Sequence, residues 1–292
     1  MLGYCTNVHS GDSFDDVIGN LKTYAWKVQQ NLQTPLSIGL WLSDTASREV
    51  DIALLKDTLQ QCNLQVFTLN GFPFSNFHQK SVRHKVYKPN WSEESRLEYT
   101  VRLAQILSCV TLQNESGIST LPLGWNDETF SNKDCARLLN RCVDALEEIE
   151  QQTSKCIHID IEPEPGCRLQ RSNELCDFFA SHFGDDERAR RYLRVCHLRA
   201  HLTPRCSKDS SHTEGCQQSR YSCNQCQSLN SHHIFLHEWV SLRTTMTLEE
   251  CQDEKQGHSW IFNDFLIAKL LTKILIEAGA LPQLNQNTAA GH

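Results

Sequence analysis

Two glutamates, Glu162 and Glu164, follow the apolar run 156–161 (CIHIDI), and each is followed by a proline. Proline fixes its own φ and pushes the residue before it into extended backbone, so at least one carboxylate is held rather than free to swing. A held carboxylate suits general acid–base chemistry or ligation of a hard cation. Glu162 and Glu164 are therefore the candidate catalytic residues, and their spacing leaves open which one faces a site. Asn7 and His9 close a first short run at 4–8, Asn70 closes a run at 64–69, and His78 lies in the loop after it. Imidazole can transfer a proton near neutral pH and an amide can orient hydroxyls or carbonyls, so these four are candidate substrate-binding residues. His158, inside its run, reads instead as a packed or helix-facing residue. Arg83, His84, Lys85, Lys88 and Arg96 surround Tyr87 and Trp91. They read either as a basic, aromatic rim for an anionic or ring-containing metabolite or as a solvated loop and helix start.

These residues need elements to position them. Apolar or β-branched runs at 4–8, 36–42, 64–69, 118–123, 156–161 and 192–196 alternate with helical periodicities at 12–30, 47–61, 93–109, 132–151 and 173–183. Strand followed by helix, repeated, predicts an α/β chain of parallel βα units. In each unit the polar, Pro- and Gly-rich residues come just after the strand, where a (β/α)₈ barrel builds its active face. About six such units are visible, too few to close a barrel of eight.

The 292 residues are 39% hydrophobic and carry a net charge of −7 without a basic block, which predicts a folded core and disfavours nucleic acid as a partner. The first residues lack the basic-then-apolar pattern of a secretory signal, and the most apolar stretch, 261–281, is interrupted by Asp264, Lys269, Lys273 and Glu277. The expectation is a cytoplasmic protein with no membrane span and with its 14 cysteines as reduced thiols.

The stretches YCTNVHSGDSFDDVIGNL at 4–21, FTLNGFPFSNFHQKSVRHKVYKPNW at 67–91, RLEYTVRLAQIL at 96–107, ISTLPLG at 118–124 and IDIEPEPGC at 159–167 together resemble the metabolite traffic protein EboE family, over roughly residues 4–197. That family belongs to the xylose isomerase-like TIM barrels. The resemblance implies an incomplete barrel of this kind, a small-molecule metabolite as ligand, proteins of the same pathway as partners, and a role in processing or trafficking the metabolite for export. Related barrels isomerise or epimerise sugars with a divalent ion (Mg, Mn or Zn) held by carboxylates and histidines, so a metal-dependent sugar isomerase or epimerase is the alternative. On that reading Glu162 and His201 are the metal ligands. The family continues after the sixth strand as Val-Cys-x-Asp-x-Cys-His, whereas this chain reads Val195-Cys196-His197-Leu198-Arg199-Ala200-His201. Leu198 stands where the acid belongs, which predicts binding with weak or absent turnover.

From 198 to 258 the chain is rich in Cys, His, Ser and Gln and loses the strand–helix rhythm. One CxxC, Cys223 to Cys226, raises a zinc-binding or partner-binding tail as a further alternative. A shifted reading frame or mispredicted exon fits the abrupt break better, and the segment is expected to be poorly ordered. Residues 259–292 read as an amphipathic helix and tail.

Overall fold

The computed structural model describes residues 2–76, 83–126, 128–196 and 234–236. Seven strands, β1 (Leu2–Cys5), β2 (Leu36–Trp41), β3 (Leu64–Asn70), β4 (Glu115–Thr120), β5 (Cys156–Ile161), β6 (Leu193–Val195) and β7 (Ile234–Leu236), form one sheet in the order β6-β5-β4-β3-β2-β1-β7. Every pairing is parallel. From β1 to β6 each strand lies beside its predecessor, so right-handed crossovers carry the intervening helices to one face, as in a (β/α)₈ barrel. The expected α/β fold is thus present as successive βα units. The sequence leaves β1 as a bare edge, but β7, from within the 198–258 segment, pairs along it from Leu2 to Tyr4.

Among the described residues eight α-helices lie between β1 and β6: α1 (Phe14–Asn20), α2 (Trp26–Gln29), α3 (Asp44–Glu49), α4 (Ile52–Gln61), α5 (Glu94–Val110), α6 (Asn132–Thr153), α7 (Ser172–His182) and α8 (Glu187–Tyr192). A π-helical turn, Leu21–Ala25, joins α1 to α2. The helix expected over 47–61 is two, because Ser43 caps α3 and Asp51 then accepts hydrogen bonds from Ala53 N and Leu54 N to start α4 afresh. In α6, Cys135, Leu138, Leu139, Cys142, Val143, Leu146 and Ile149 recur at helical spacing and are all buried. Each fully buried leucine there stabilises by roughly 2 kcal/mol.

The two faces of the sheet differ in kind. Ile157, Ile159 and Ile161 of β5 join the apolar core beneath the helices, as do Ile118 of β4 and Val66 and Leu69 of β3. The opposite, inner face carries Cys5, Gly39, Thr68, Gly117 and His158 in one row of register partners. Trp41, Asn70, Ser119, Asp160 and Arg194 form the next row toward the carboxyl ends. Barrel interiors are usually filled with Val, Ile and Leu. Here, Trp41 apart, small and polar residues occupy those positions instead.

A bulge sets this parity on β3. Ile38 pairs with Val66 and Gly39 with Thr68, so Phe67 is an extra residue. Without it, period-two alternation from Val66 would turn Thr68 and Asn70 toward the helices. With it, Leu69 takes the core side while Thr68 and Asn70 face inward.

Candidate functional site

At the carboxyl end of β5 the ladder runs one residue past the strand, with Glu162 N donating to Thr120 O at 2.9 Å. Alternation from Ile161 carries Glu162 to the side of His158 and Asp160, and it is only 5% exposed. Two strands away on the same edge, Asn70 Oδ1 accepts from Phe72 N at 3.1 Å and from Ser119 Oγ at 3.3 Å. Ser119 is the register partner of both Asn70 and Asp160. Asn70, Ser119, Asp160 and Glu162 therefore form a continuous polar patch on three adjacent strand ends. Burying such groups is costly unless they are paired, so a stability argument alone would favour apolar residues here.

Glu164 sits differently, in a loop bound to its neighbour. Trp125 and Cys167 form an antiparallel bridge, Asn126 N donates to Gly166 O at 3.0 Å, and Arg168 N donates to Gly124 O at 2.9 Å. Gly166 has φ +89°, and a Cβ there would lie 2.1 Å from the Trp125 ring. Trp125 in turn lies 4.9 Å from Tyr87, which meets Phe72 edge-on at 5.7 Å. Burial first, and then the Glu164 carboxylate, raise the Tyr87 hydroxyl and the Cys167 thiol above their ordinary pKa ranges. Glu164 thus belongs to an aromatic rim above the patch, and Glu162 to its floor.

The other expected residues separate. Asn7 is buried in the 3-10 turn Thr6–Val8 directly after β1, on the same edge of the sheet as Asn70 and Glu162. His9 packs between two tyrosines, hydrogen-bonded to the Tyr4 hydroxyl and stacked on Tyr24 at 3.9 Å and 9°. Tyr4 belongs to the core under the helices, and burial holds its hydroxyl pKa up. That arrangement draws His9 away from the inner face. His78 and His201 lie outside the described residues, as do Cys223, Cys226 and the helix expected near the C-terminus.

His158 is not helix-facing. Its Nδ1 lies 2.8 Å from Asp160 Oδ1 on the inner face, opposite Ile157 and Ile159. The sequence signal was the alternation in CIHIDI, three isoleucines on one side and two polar residues on the other. Ser119 was missed because nothing in ISTLPL marks it, and its role follows only from the register that brings it to Asn70.

Two members of the expected rim are interior. Arg96 is fully buried, with Nη1 donating to Gly71 O (2.8 Å) and Phe72 O (3.2 Å), and Nε to Pro89 O (2.8 Å). It lies 5.8 and 5.7 Å from the Phe74 and Tyr99 ring centres, and burial pulls its pKa down to about 10. It anchors the turn that follows Asn70. Trp91 is also buried and donates from Nε1 to Thr120 Oγ1 at 3.1 Å. Lys88 pairs with Glu93 at 3.3 Å and Glu128 at 2.8 Å.

A divalent ion needs several converging donors. Among the described residues no three His, Cys, Asp or Glu side chains form a group able to hold a metal ion. The described residues thus do not by themselves fit the metal that the sequence resemblance implies. Also among them, no helix is long and apolar enough to cross a membrane.

No family model and no curated protein matches the chain, so the resemblance to EboE has no support from either comparison. Among solved structures the chain is similar to D-allulose 3-epimerase from Methylomonas sp. in complex with D-allulose, at TM-score 0.42 and 14% identity over 66% of this chain and 60% of that one. It is also similar to IOLI protein with a binding zinc atom, at TM-score 0.46 and 9% identity over 96% of each chain. The chain thus spans 60% of the length of that epimerase.

Proposed function

We propose that the carboxyl end of the sheet binds a small polyhydroxylated metabolite, and that Glu162 moves a proton on it in an isomerase or epimerase reaction. The observation that supports this reading is the composition of the inner face. Cys5, Gly39, Thr68 and Gly117 put small residues where a barrel is normally filled by Val, Ile and Leu, and Asn70, Ser119, Asp160 and Glu162 set hydrogen-bonding groups at the carboxyl end of that face. Hydroxyls of a polyol both donate and accept, which matches a set of carboxylate acceptors beside an amide and a hydroxyl.

The chemistry follows from those groups. Isomerisation next to a carbonyl takes a proton from one carbon and returns it to its neighbour on the same face, which one carboxylate in reach of both carbons can do, whereas epimerisation returns a proton to the opposite face and needs a second acid there. Glu162 supplies that base. Negative charge develops on the substrate oxygen as the proton leaves, and donors aimed at it lower the barrier. Asn70 Oδ1 is occupied by Phe72 N and Ser119 Oγ, so its Nδ2 is the amide group that donates. Glu164 and Tyr87, with Trp125, form the wall that meets the rest of the molecule.

A carrier role without turnover, implied by the resemblance to EboE, is favoured by Leu198 standing where that family has an acid. One assay separates the two: titration with pentoses and hexoses, with product analysis in the absence and presence of Mg, Mn or Zn. Turnover that Glu162→Gln lowers by about 100-fold or more supports the enzyme reading. Binding without product supports the carrier. No binding of any sugar rejects both.

A further inference from the structure

We infer that His158 and Asp160 form a second, deeper recognition point of the same site, taking a hydroxyl group of a small polyol or sugar; this rests on the proposed polyol reading. The two side chains meet through His158 Nδ1 and Asp160 Oδ1 at 2.8 Å. A carboxylate only accepts, so Nδ1 carries the hydrogen, and Nε2 is left to accept from a hydroxyl or, on a protonated ring, to donate to one. Neither Nε2 nor Asp160 Oδ2 has a further hydrogen-bond partner among the described residues. The side chains are 12% and 22% exposed, so the pair is sheltered without being sealed.

Gly117 is what lets them lie there. A Cβ at Gly117 would stand 2.0 Å from Asp160 Oδ2 and 2.7 Å from His158 Cε1. Its φ is not in the left-handed region, so the glycine provides space rather than an unusual backbone. A mid-strand glycine weakens a strand and marks a close approach, here of two functional side chains. The neighbours of Gly117 along its row, Thr68, Gly39 and Cys5, are also small. Asp160 lies two residues below Glu162, about 6–7 Å along the strand. A short carbon chain held by Glu162 at one end reaches the pair with its other end.

The test uses the full chain with D-sorbitol and D-fructose as probes. Affinity is measured for wild type, Asp160→Asn, Gly117→Ala and Glu162→Gln, and the ring resonances of His158 are followed by NMR in the wild type. Binding of either probe is expected to shift the His158 resonances, and Asp160→Asn and Gly117→Ala are each expected to weaken it by about 5-fold or more. Should Asp160→Asn fail to fold, Gly117→Ala and the wild-type resonances decide. Unchanged affinity in the folded variants, or immobile His158 resonances while a probe is bound, overturns the inference. If Glu162→Gln alone abolishes binding, the proposed function stands without the deeper point. If Gly117→Ala weakens binding and Glu162→Gln does not, the deeper point stands and Glu162 contributes nothing to affinity, its proton-moving role then standing or falling on turnover by Glu162→Gln. No binding by the wild type overturns both.

Discussion

Glu162 and Glu164 look equivalent in the motif, yet the chain treats them differently: one extends the β5 ladder and the other sits in a loop braced by Trp125. The motif showed that a carboxylate is held, but not which, because parity depends on where the strand ends. Of the two readings of His158, packed or helix-facing, only the second fails, since its side chain is packed against Asp160 on the inner face. Arg96 reads as part of a rim in the sequence, and only tertiary packing shows it clamping two carbonyls of the turn after Asn70, those of Gly71 and Phe72, to that of Pro89. Arg96→Met removes those donors while keeping the volume apolar, and should cost about 3 kcal/mol or more in denaturant unfolding. A loss under about 1 kcal/mol would show the clamp to be dispensable. The buried thiols make a second residue-scale prediction. Burial raises Cys135 and Cys142 to about 12 and Cys156 to about 11, all above the ordinary thiol value. An acid whose folded pKa is raised keeps its proton in the folded chain after the unfolded chain has lost it. Stability is therefore whole below pH ~9 and falls as pH rises from there toward 11–12. Thermal midpoints that stay level from pH 8 to 10.5 would contradict this, and alkylation at neutral pH should mark exposed Cys109 before Cys135 or Cys142.

Element positions were readable where hydrophobic period and caps agree. α6, expected over 132–151, spans Asn132–Thr153, and β5 matches its expected bounds. The fourth strand was placed at 118–123 but is Glu115–Thr120, because Glu115, Ser116 and Gly117 lack the composition of a strand and are recruited by pairing with β5. The bulge at Phe67 left no local signal, since only the register with β2 reveals an extra residue. The Trp125–Gly166 contact is the element-scale device most open to test. Gly166→Ala meets both a positive φ and the indole ring, and should destabilise by about 1–3 kcal/mol with a change in tryptophan fluorescence. An unaltered melting curve and spectrum would mean that the loops after β4 and β5 are not braced as described.

On the scale of the whole molecule, six successive parallel strands place Asn7, Asn70 and Glu162 on one edge, while a seventh pairs along β1. The order of βα units was apparent from alternating runs, whereas the seventh strand was not, because 234–236 lies in a segment without strand–helix rhythm. We place a polyol site on the inner face and carboxyl edge of this sheet. That placement is tested most directly by mapping backbone amide shifts of the labelled chain as D-fructose is added. The expected map is confined to Asn7, Asn70–Phe72, Gly117–Leu121 and His158–Glu164, together with the loop around Trp125. Shifts concentrated instead on the outward surfaces of α5 and α6, or no saturable shift at any residue, would contradict it.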